Sequence, residues 1–231
     1  MHLVIDQGTS STKAFLFDAY GHITYNEKLN HRLYYPSRNH IECDALEIFN
    51  ACKSLISRSV KVSKTNPILT LGLSVQRSTF LFWDRLTITP VTKALSWQDS
   101  RSKDIVENLK QHSDWIYNTT GLPLSPHFGG PKYKKMIKEL PLLKKKITNG
   151  DVIFGTLSSY ITHALTKIAA IDHSIASRTL LFDINTCTWS DECLDLFEIP
   201  KSSLPVIKPT YYNYGKFAIN LFELRYFKIY L

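Results

Sequence analysis

The order of apolar segments in the first half of the chain is the feature that most constrains its fold. Three short β-prone runs, around 4–5, 14–17 and 23–29, are joined by tight turns and predict an antiparallel meander. Apolar residues at helical spacing follow from Ala45 to about Val62. The nearly continuous apolar run 68–75 then predicts a buried strand. Three strands, a helix and a buried strand in this order indicate an α/β domain.

After Trp97 the chain turns more helical. Segments 80–83 and 178–184 predict two further strands. Asp44, with Glu47 three residues later, is a capping-box pattern that marks the start of the first helix. The later helices are predicted over 102–112, 114–119, 132–145, 157–165 and 191–197. The large aromatic residues expected in the core there are Trp189 and Phe197.

Composition and charge narrow the possible functions. The chain has 231 residues and a formal net charge of +8, which suits a phosphate or nucleic-acid partner. The basic residues are scattered apart from the cluster 132–146, whose spacing predicts a helix with a solvated basic face. The sequence shows no membrane-helix run, no signal-peptide pattern and no C-x-x-C spacing among its four cysteines. These features predict a cytoplasmic protein with free thiols.

The segment from Asp6 to Lys13 is the first candidate for a functional site. An apolar strand leads into a carboxylate, one glycine, four hydroxyl residues and a lysine. Turn N–H groups and hydroxyls can donate to phosphate oxygens, and a carboxylate can hold Mg²⁺ through water. An ordinary hairpin turn has the same residue types, so composition alone leaves both interpretations open. The spacing is not that of a Walker A loop.

The stretch from Asp6 to Asp18 resembles the opening of FGGY-family carbohydrate kinases, glycerol kinases in particular. Further segments resemble that family in the same order, and together they span about residues 3–215. These segments are 35–36 with 41–44, 72–79 with 83–84, 96–101, 120–126, 154–160 and 176–183.

The resemblance implies a fold and a reaction. The expected fold is a ribonuclease H-like α/β domain of the actin and hexokinase class, with a mixed sheet and flanking helices. The expected reaction transfers the γ-phosphoryl group of ATP, with Mg²⁺, to a hydroxyl of a sugar or polyol. Such catalysis depends mostly on positioning and charge neutralisation.

The same resemblance implies roles for the residues of the first segment. Thr9, Ser10 and Ser11 would contact the nucleotide phosphates. Lys13 stands where glycerol kinases have an arginine that approaches the nucleotide. Asp6 would lie near the metal.

The resemblance also implies a substrate pocket, in which two positions depart from the glycerol kinase pattern. Arg77 would bind substrate hydroxyls, and Trp97 would line the pocket, although core packing is the alternative for a tryptophan. Ser78 replaces a glutamate that binds glycerol, and His127 replaces a tyrosine. His127 is equally compatible with a substrate ligand and a surface histidine. Because a serine accepts hydrogen bonds more weakly than a carboxylate, the sequence predicts a sugar or polyol other than glycerol.

The family resemblance ends before the chain does. We expect residues 1–215 to form the N-terminal domain of the family, 216–231 to be a tail without family resemblance, and the C-terminal domain to be absent. A frameshift or premature stop is the favoured origin of that tail. The family's general base is an aspartate in a G-D-Q-like motif of the second domain, and this sequence contains no such motif.

Several functions are compatible with the sequence. The leading expectation is a carbohydrate kinase half that is inactive alone, completed by a separate C-terminal-domain chain in the case of a split kinase. A non-catalytic polyol-binding remnant is the alternative. A nucleic-acid-binding protein is disfavoured, because no RRM, KH or HTH pattern occurs.

Overall fold

Two five-stranded sheets form the framework of the domain. The computed structural model describes residues 1–63, 66–215 and 228–230. The strands are β1 (His2–Gln7), β2 (Ser11–Phe17), β3 (Ile23–Asn30), β4 (Leu33–Ser37), β5 (His40–Cys43), β6 (Thr70–Val75), β7 (Phe80–Asp84), β8 (Ala94–Leu95), β9 (Val152–Thr156), β10 (Ala170–Asp172), β11 (Phe182–Asp183), β12 (Thr188–Trp189), β13 (Val206–Lys208) and β14 (Lys228–Tyr230). The helices are α1 (Ala45–Ser63), α2 (Lys103–Asn108), α3 (Ser113–Thr120), α4 (Gly129–Glu139), α5 (Pro141–Thr148), α6 (Leu157–Thr166), α7 (His173–Ala176) and α8 (Asp191–Phe197).

The first sheet has the strand order β14-β6-β1-β2-β3. Strands β1, β2 and β3 pair antiparallel, which confirms the predicted meander. Strand β6, the predicted buried strand, lies parallel to β1 on the other side. The sheet is therefore mixed, as expected, and the carboxyl ends of β1 and β6 lie at the same edge.

The second sheet has the order β4-β5-β8-β7-β9 and is antiparallel throughout. Side chains of β7 alternate between its two faces. Leu81 and Trp83 join one hydrophobic cluster, whereas Phe80 and Phe82 join another. This sheet therefore separates two cores.

The two cores differ in the helices that they include. The first core combines the first sheet, the apolar faces of α1 and α6, and one face of the second sheet. The second combines the other face of the second sheet with α2, α3, α4, α5 and α8. Trp189 and Phe197 are both buried in the second core, as predicted.

Helix α1 begins where the capping pattern predicts. The backbone N–H groups of Leu46 and Glu47 donate to the Asp44 carboxylate at 2.9 and 3.1 Å. This bond pair satisfies donors that have no partner within the first turn of a helix. Asp44 also forms an ion pair with Lys93, which ties the helix start to the loop before β8.

Two predicted elements differ from the structure. The helix predicted over 132–145 is two helices. Helix α4 ends before Leu140, and α5 starts at Pro141, because proline is tolerated only in the first turn of a helix. The strand predicted over 178–184 is reduced to the two residues of β11. Leu180, inside that segment, has φ of 62°, which is incompatible with an extended strand.

The basic cluster forms a solvated face only in part. Lys138, Lys144, Lys145 and Lys146 are exposed, as predicted. Lys132 is fully buried. Lys134 lies 3.3 Å from Glu198, and Lys135 lies 3.0 Å from Asp104. Much of the positive charge in this cluster is therefore compensated locally or buried.

The predictions about the cysteines, membrane-spanning segments and the tail can also be compared with the structure. All four cysteines are free thiols, as predicted, and of these only Cys187 is exposed. Across the described ranges, no helix combines the length and apolar character needed to cross a bilayer. Most of the predicted tail, namely 216–227 and 231, lies outside the described residues. Residues 228–230 form β14, which pairs parallel with β6.

Candidate functional site

The site is built at the edge where two parallel strands end. The Gln76 backbone N–H, after β6, donates to the Gln7 carbonyl at 2.8 Å. The Gln76 side-chain amide donates to the Gly8 carbonyl at 3.4 Å. The turn after β1 and the loop after β6 therefore lie side by side, at the carboxyl ends of parallel strands, where α/β sheets commonly bind ligands.

The turn after β1 is a hairpin that also presents hydroxyl groups. The Gly8 N–H donates to the Ser11 carbonyl at 2.9 Å, which closes the turn. Thr9 is half-buried, Ser10 is exposed, and Ser11 is largely buried at the start of β2. A Cβ at Gly8 would make only an ordinary contact of 3.4 Å with the Ser11 carbonyl, so packing within the protein does not demand glycine there.

Asp6 and Lys13 are cross-strand partners beside this turn. The Lys13 ammonium lies 3.8 Å from the Asp6 carboxylate, and both side chains are almost half exposed. Within the described ranges, no three acidic, histidine or cysteine side chains gather into a metal cage. One accessible carboxylate beside a candidate phosphate-binding turn still fits Mg²⁺, which commonly binds through one or two carboxylates, waters and substrate phosphates.

A pocket of about 230 Å³ opens next to the turn. It brings together the four predicted substrate residues and two that the sequence did not single out. The lining residues are Gln76, Arg77, Ser78, Trp97, His127 and Arg178. Arg178 lies in one of the family-like segments, 176–183, and that position was the available signal for it.

Trp97 connects the pocket to the hydroxyl turn. Its indole Nε1–H donates to Thr9 Oγ1 at 3.0 Å, and its backbone N–H donates to Thr79 Oγ1 at 3.2 Å. The side chain is 38% exposed, so Trp97 forms a wall of the pocket and is not part of either core.

Ser78 occupies the floor of the pocket in an unusual conformation. Its φ is 59°, in the left-handed region that non-glycine residues rarely adopt. The residue is fully buried, and its hydroxyl donates to the Arg178 carbonyl at 3.5 Å. The hydroxyl therefore faces the backbone of another loop.

Arg77 and His127 bring different chemistry to the pocket. Arg77 is exposed and also borders a neighbouring cavity of about 280 Å³ that contains Asp172. His127 packs edge-on against Trp97, with ring centroids 5.9 Å apart. Burial, and then the positive charges of Lys132 and Arg178, lower the pKa of His127 to about 4. His127 is therefore neutral at pH 7.

A buried ionic network holds the loop that follows Trp97. Arg101 donates to the Asp99 carboxylate at 2.8 Å and to the Glu42 carboxylate at 2.6 Å. Asp99 is fully buried and also accepts the Ile41 N–H at 2.7 Å. The network joins this loop to β5 and fixes the backbone that presents Trp97.

Lys132 is the buried residue that sequence reasoning missed. Its ammonium donates to backbone carbonyls behind the pocket, and burial lowers its pKa to about 7. The available signal was its helical spacing of four residues from Met136, because this spacing places both side chains on the buried face of α4.

Comparison with known proteins assigns the chain to a family. The model described as "FGGY family of carbohydrate kinases, N-terminal domain" matches residues 1–226. Glycerol kinase from Mycoplasmoides gallisepticum is 36% identical over 228 residues, which cover 96% of this chain and 45% of that protein. Glycerol kinase from Borrelia duttonii is 38% identical over 220 residues, which cover 93% and 44%. The chain thus spans about half the length of the curated relatives it matches.

Solved structures give the same result. The crystal structure of Plasmodium falciparum glycerol kinase with ADP superimposes with a TM-score of 0.94 at 31% identity, over 100% of this chain and 48% of that one. Ligand-bound xylulose kinase from Lactobacillus acidophilus gives 0.88 at 23% identity, over 100% and 48%. These matches confirm the expected ribonuclease H-like α/β fold, the class of the actin and hexokinase ATPases.

Proposed function

Because the chain belongs to the FGGY family of carbohydrate kinases and matches the N-terminal domain of that family, we propose that it carries the phosphate-binding turn and the acceptor pocket of an ATP-dependent kinase. The acceptor is a hydroxyl of a sugar or polyol. Members of a carbohydrate kinase family are phosphotransferases by definition.

The hydrogen bond between Trp97 and Thr9 is the observation that carries this proposal. At 3.0 Å it joins the wall of the pocket to the hydroxyl turn. A phosphate held on the turn and a hydroxyl held in the pocket would therefore be neighbours, which phosphoryl transfer requires.

We assign the residues of the turn to the nucleotide phosphates. Thr9 and Ser10 present accessible hydroxyls, and Ser11 supports the turn from the start of β2. Lys13 offsets phosphate charge. Asp6 would hold Mg²⁺, which supplies further charge neutralisation on the phosphate oxygens when bound.

We assign the residues of the pocket to the acceptor. The Arg77 guanidinium donates to acceptor hydroxyls, Trp97 packs against the carbon skeleton, and His127 adds a neutral hydrogen-bonding group. Among the described residues, those that line this pocket include no carboxylate. His127, with a pKa of about 4, is a poor general base at pH 7.

We therefore propose that the general base and the adenosine site belong to a second half, and that residues 1–231 alone bind the acceptor without useful turnover. Support comes from the coverage of about 45% of a glycerol kinase relative and from the carboxylate-free lining. A general base is typically worth about 10²–10⁴-fold in rate. The second half belongs either to the same polypeptide or to a separate partner chain.

Acceptor identity is the finer part of the proposal. The relatives named above are glycerol kinases, so glycerol is the reference acceptor. Ser78 puts a buried hydroxyl, turned to a backbone carbonyl, where the family resemblance implies a carboxylate. We therefore propose that another polyol or a sugar binds more tightly than glycerol.

Calorimetric titration of the purified chain with polyols and pentoses, glycerol included, tests acceptor binding. An ADP-release assay with ATP and Mg²⁺ on the same samples tests turnover. We expect saturable binding of at least one compound without robust ADP release. If none of the compounds binds, the assignment of the pocket is wrong. Robust turnover by this chain alone would contradict the assignment of the base to a second half.

A second experiment separates a split kinase from a binding remnant. The C-terminal half of a glycerol kinase relative, added as a separate chain, should restore ADP release if this chain is one half of a kinase. A remnant would bind the acceptor and remain inactive in the mixture.

The cytoplasmic location stays a prediction.

A further inference from the structure

A buried lysine behind the pocket contacts the two loops that carry the main acceptor residues. The Lys132 ammonium donates to the Ser96 carbonyl at 2.7 Å and to the Ser78 carbonyl at 3.3 Å. Ser78 directly follows Arg77, and Ser96 directly precedes Trp97. One side chain from a third element, α4, therefore binds the backbone beside both residues.

We propose that Lys132 is a positioning residue, which holds the loops of Arg77 and Trp97 together so that both side chains face one pocket. This inference rests on the acceptor-binding role proposed for that pocket. Lys132 does not line the pocket, so it acts through the two loops.

The environment of Lys132 explains why the two carbonyls matter. The side chain has no exposed surface, and burial opposes its charge. In the described part of the chain, Lys132 has no acidic group within ion-pair distance. Its charge is stabilised by the two carbonyls, by the Phe80 ring, whose centroid lies 5.6 Å from Nζ, and at longer range by the Asp99 carboxylate. Moving either loop away would leave a buried ammonium short of acceptors, which is strongly unfavourable.

A second contact, besides those of Lys132, joins the loops of Arg77 and Trp97. The Trp97 N–H donates to Thr79 Oγ1 at 3.2 Å, so the loops also touch directly. Loss of the ammonium should therefore loosen the loops without separating them. The expected consequence is a mobile Trp97 and a poorly organised pocket in a protein that remains folded.

The test uses Lys132→Met, which keeps most of the length of the side chain and removes its donors. Lys138→Met is the matched control, because Lys138 is an exposed lysine on the same helix. Both are made in a Trp115→Phe background, since Trp115 is the other tryptophan that is not buried. The readouts are acrylamide quenching of Trp97 fluorescence without ligand, acceptor Kd by calorimetry, and urea unfolding.

We expect Lys132→Met to raise Trp97 quenching and to weaken acceptor binding about tenfold, the effect of losing roughly one hydrogen bond to a charged group. Lys138→Met should match the parent in both readouts. A folded Lys132→Met protein with lower stability but unchanged quenching and Kd would overturn the proposal. If that variant does not fold, Lys132→Gln, which retains two N–H donors, is compared instead. Its Trp97 quenching and acceptor Kd should lie between the parental values and those expected for complete loss of the donors. A Lys132→Gln protein with parental quenching and affinity but altered stability would equally overturn the proposal.

The quenching measurement also separates this inference from the proposed function. If the parent chain binds no polyol or sugar, the acceptor assignment fails. Acrylamide quenching of Trp97 fluorescence without ligand still tests whether Lys132 couples the two loops.

Discussion

Ser78 holds a backbone conformation that favours glycine, and it does so in the floor of the candidate pocket. Its φ of 59° lies in the left-handed region, where a Cβ approaches the following carbonyl. Its carbonyl accepts from Lys132 and its hydroxyl donates to the Arg178 carbonyl. The loop is therefore held in this conformation by contacts from two other elements, which is how such strain is retained at functional sites.

The conformation of Ser78 predicts an inverted order of stability for two small substitutions. Ser78→Gly should be more stable than Ser78→Ala by about 1 kcal/mol, because only alanine keeps the left-handed penalty. Ser59, buried in the middle of α1, is the control position. There alanine should be more stable than glycine by about 1 kcal/mol, as in any helix interior. Urea unfolding of the four variants measures both differences, and the same order at both positions would contradict the assigned strain.

Trp97 gives a second prediction at the scale of one residue. Trp97→Phe keeps an aromatic wall but removes the Nε1–H that donates to Thr9. Acceptor affinity should fall about fivefold, within the range of a single neutral hydrogen bond. Because the side chain is 38% exposed, the free energy of unfolding should change by less than about 1 kcal/mol.

Trp115→Phe is the matched control, because Trp115 Nε1 donates to Glu192 and lies outside the pocket. Calorimetric titration and urea unfolding of both variants give the comparison. Equal acceptor affinities of Trp97→Phe and Trp115→Phe would show that the hydrogen bond to Thr9 does not organise the pocket.

At the scale of secondary-structure elements, the start of α1 shows how local sequence can fix an element. Asp44 accepts two N–H groups of the first helical turn and pairs with Lys93. The capping information is contained in four consecutive residues, so the sequence predicted the helix start correctly. The break between α4 and α5 is also local, since Pro141 marks it, yet the strong lysine periodicity across 132–145 concealed it.

Asp44 predicts a pH-dependent contribution of the cap. Burial raises the pKa of Asp44, but the hydrogen bond from Lys93 and the two N–H groups outweigh burial, so the pKa is lowered. A carboxylate with a lowered folded-state pKa stabilises the protein above its unfolded pKa of about 3.9, and this contribution is lost as the pH falls through the folded value. At pH 7, Asp44→Ala should cost about 1 kcal/mol.

Asp44→Asn separates capping from charge, because asparagine caps helices about as well as aspartate. Its stability deficit relative to the parent should shrink as the pH falls below about 4, because the unfolded parent then binds a proton and the folded parent follows at its lower pKa. Urea unfolding between pH 7 and 3 measures the two deficits. A deficit for Asp44→Asn that stays constant over this range would mean that the ionised carboxylate contributes nothing.

Features that depend on pairing between distant segments were not predictable from the sequence in the same way. Strand β4 is short and largely exposed, and β5 is short and mostly half-buried, so their place in the second sheet has no clear periodic signal. The parallel pairing of β1 with β6, which creates the site, joins segments more than sixty residues apart. The family resemblance supplied the pocket residues, whereas Lys132 was read as a solvated charge because burial of a lysine leaves only a weak trace in spacing.

At the scale of the whole molecule, the second sheet holds the two cores together through aromatic residues. Trp83 of β7 lies in the first core, and its Nε1–H donates to His163 Nδ1 of α6 at 3.0 Å. Gly155 of β9 lies against Trp83, because a Cβ there would approach the Trp83 ring and the Pro205 ring to 2.9 Å. The contact between α6 and the sheet therefore depends on a neutral histidine that can accept the indole N–H.

Buried neutral histidines make the whole domain sensitive to mild acid. Burial, and then the positive charges of Lys167 and Arg85, lower the pKa of His163 to about 4, and burial also lowers the pKa of His31 and His127. Between the unfolded pKa of about 6.5 and the folded value, the unfolded chain binds a proton that the native state excludes. Stability should therefore be full above about pH 6.5 and fall as the pH decreases toward 4, with a slope of up to about 1.4 kcal/mol per pH unit for each such histidine.

His163→Gln isolates the contribution of the histidine that links α6 to the second sheet. Glutamine can accept the Trp83 N–H through its side-chain oxygen but does not titrate, so the decline in unfolding free energy from pH 6.5 to 4 should become shallower. The variant can be less stable at pH 7 without affecting this test, because the slope is the readout. Identical slopes of unfolding free energy against pH for His163→Gln and the parent would show that native His163 accepts a proton. The contact between α6 and the second sheet would then tolerate an imidazolium.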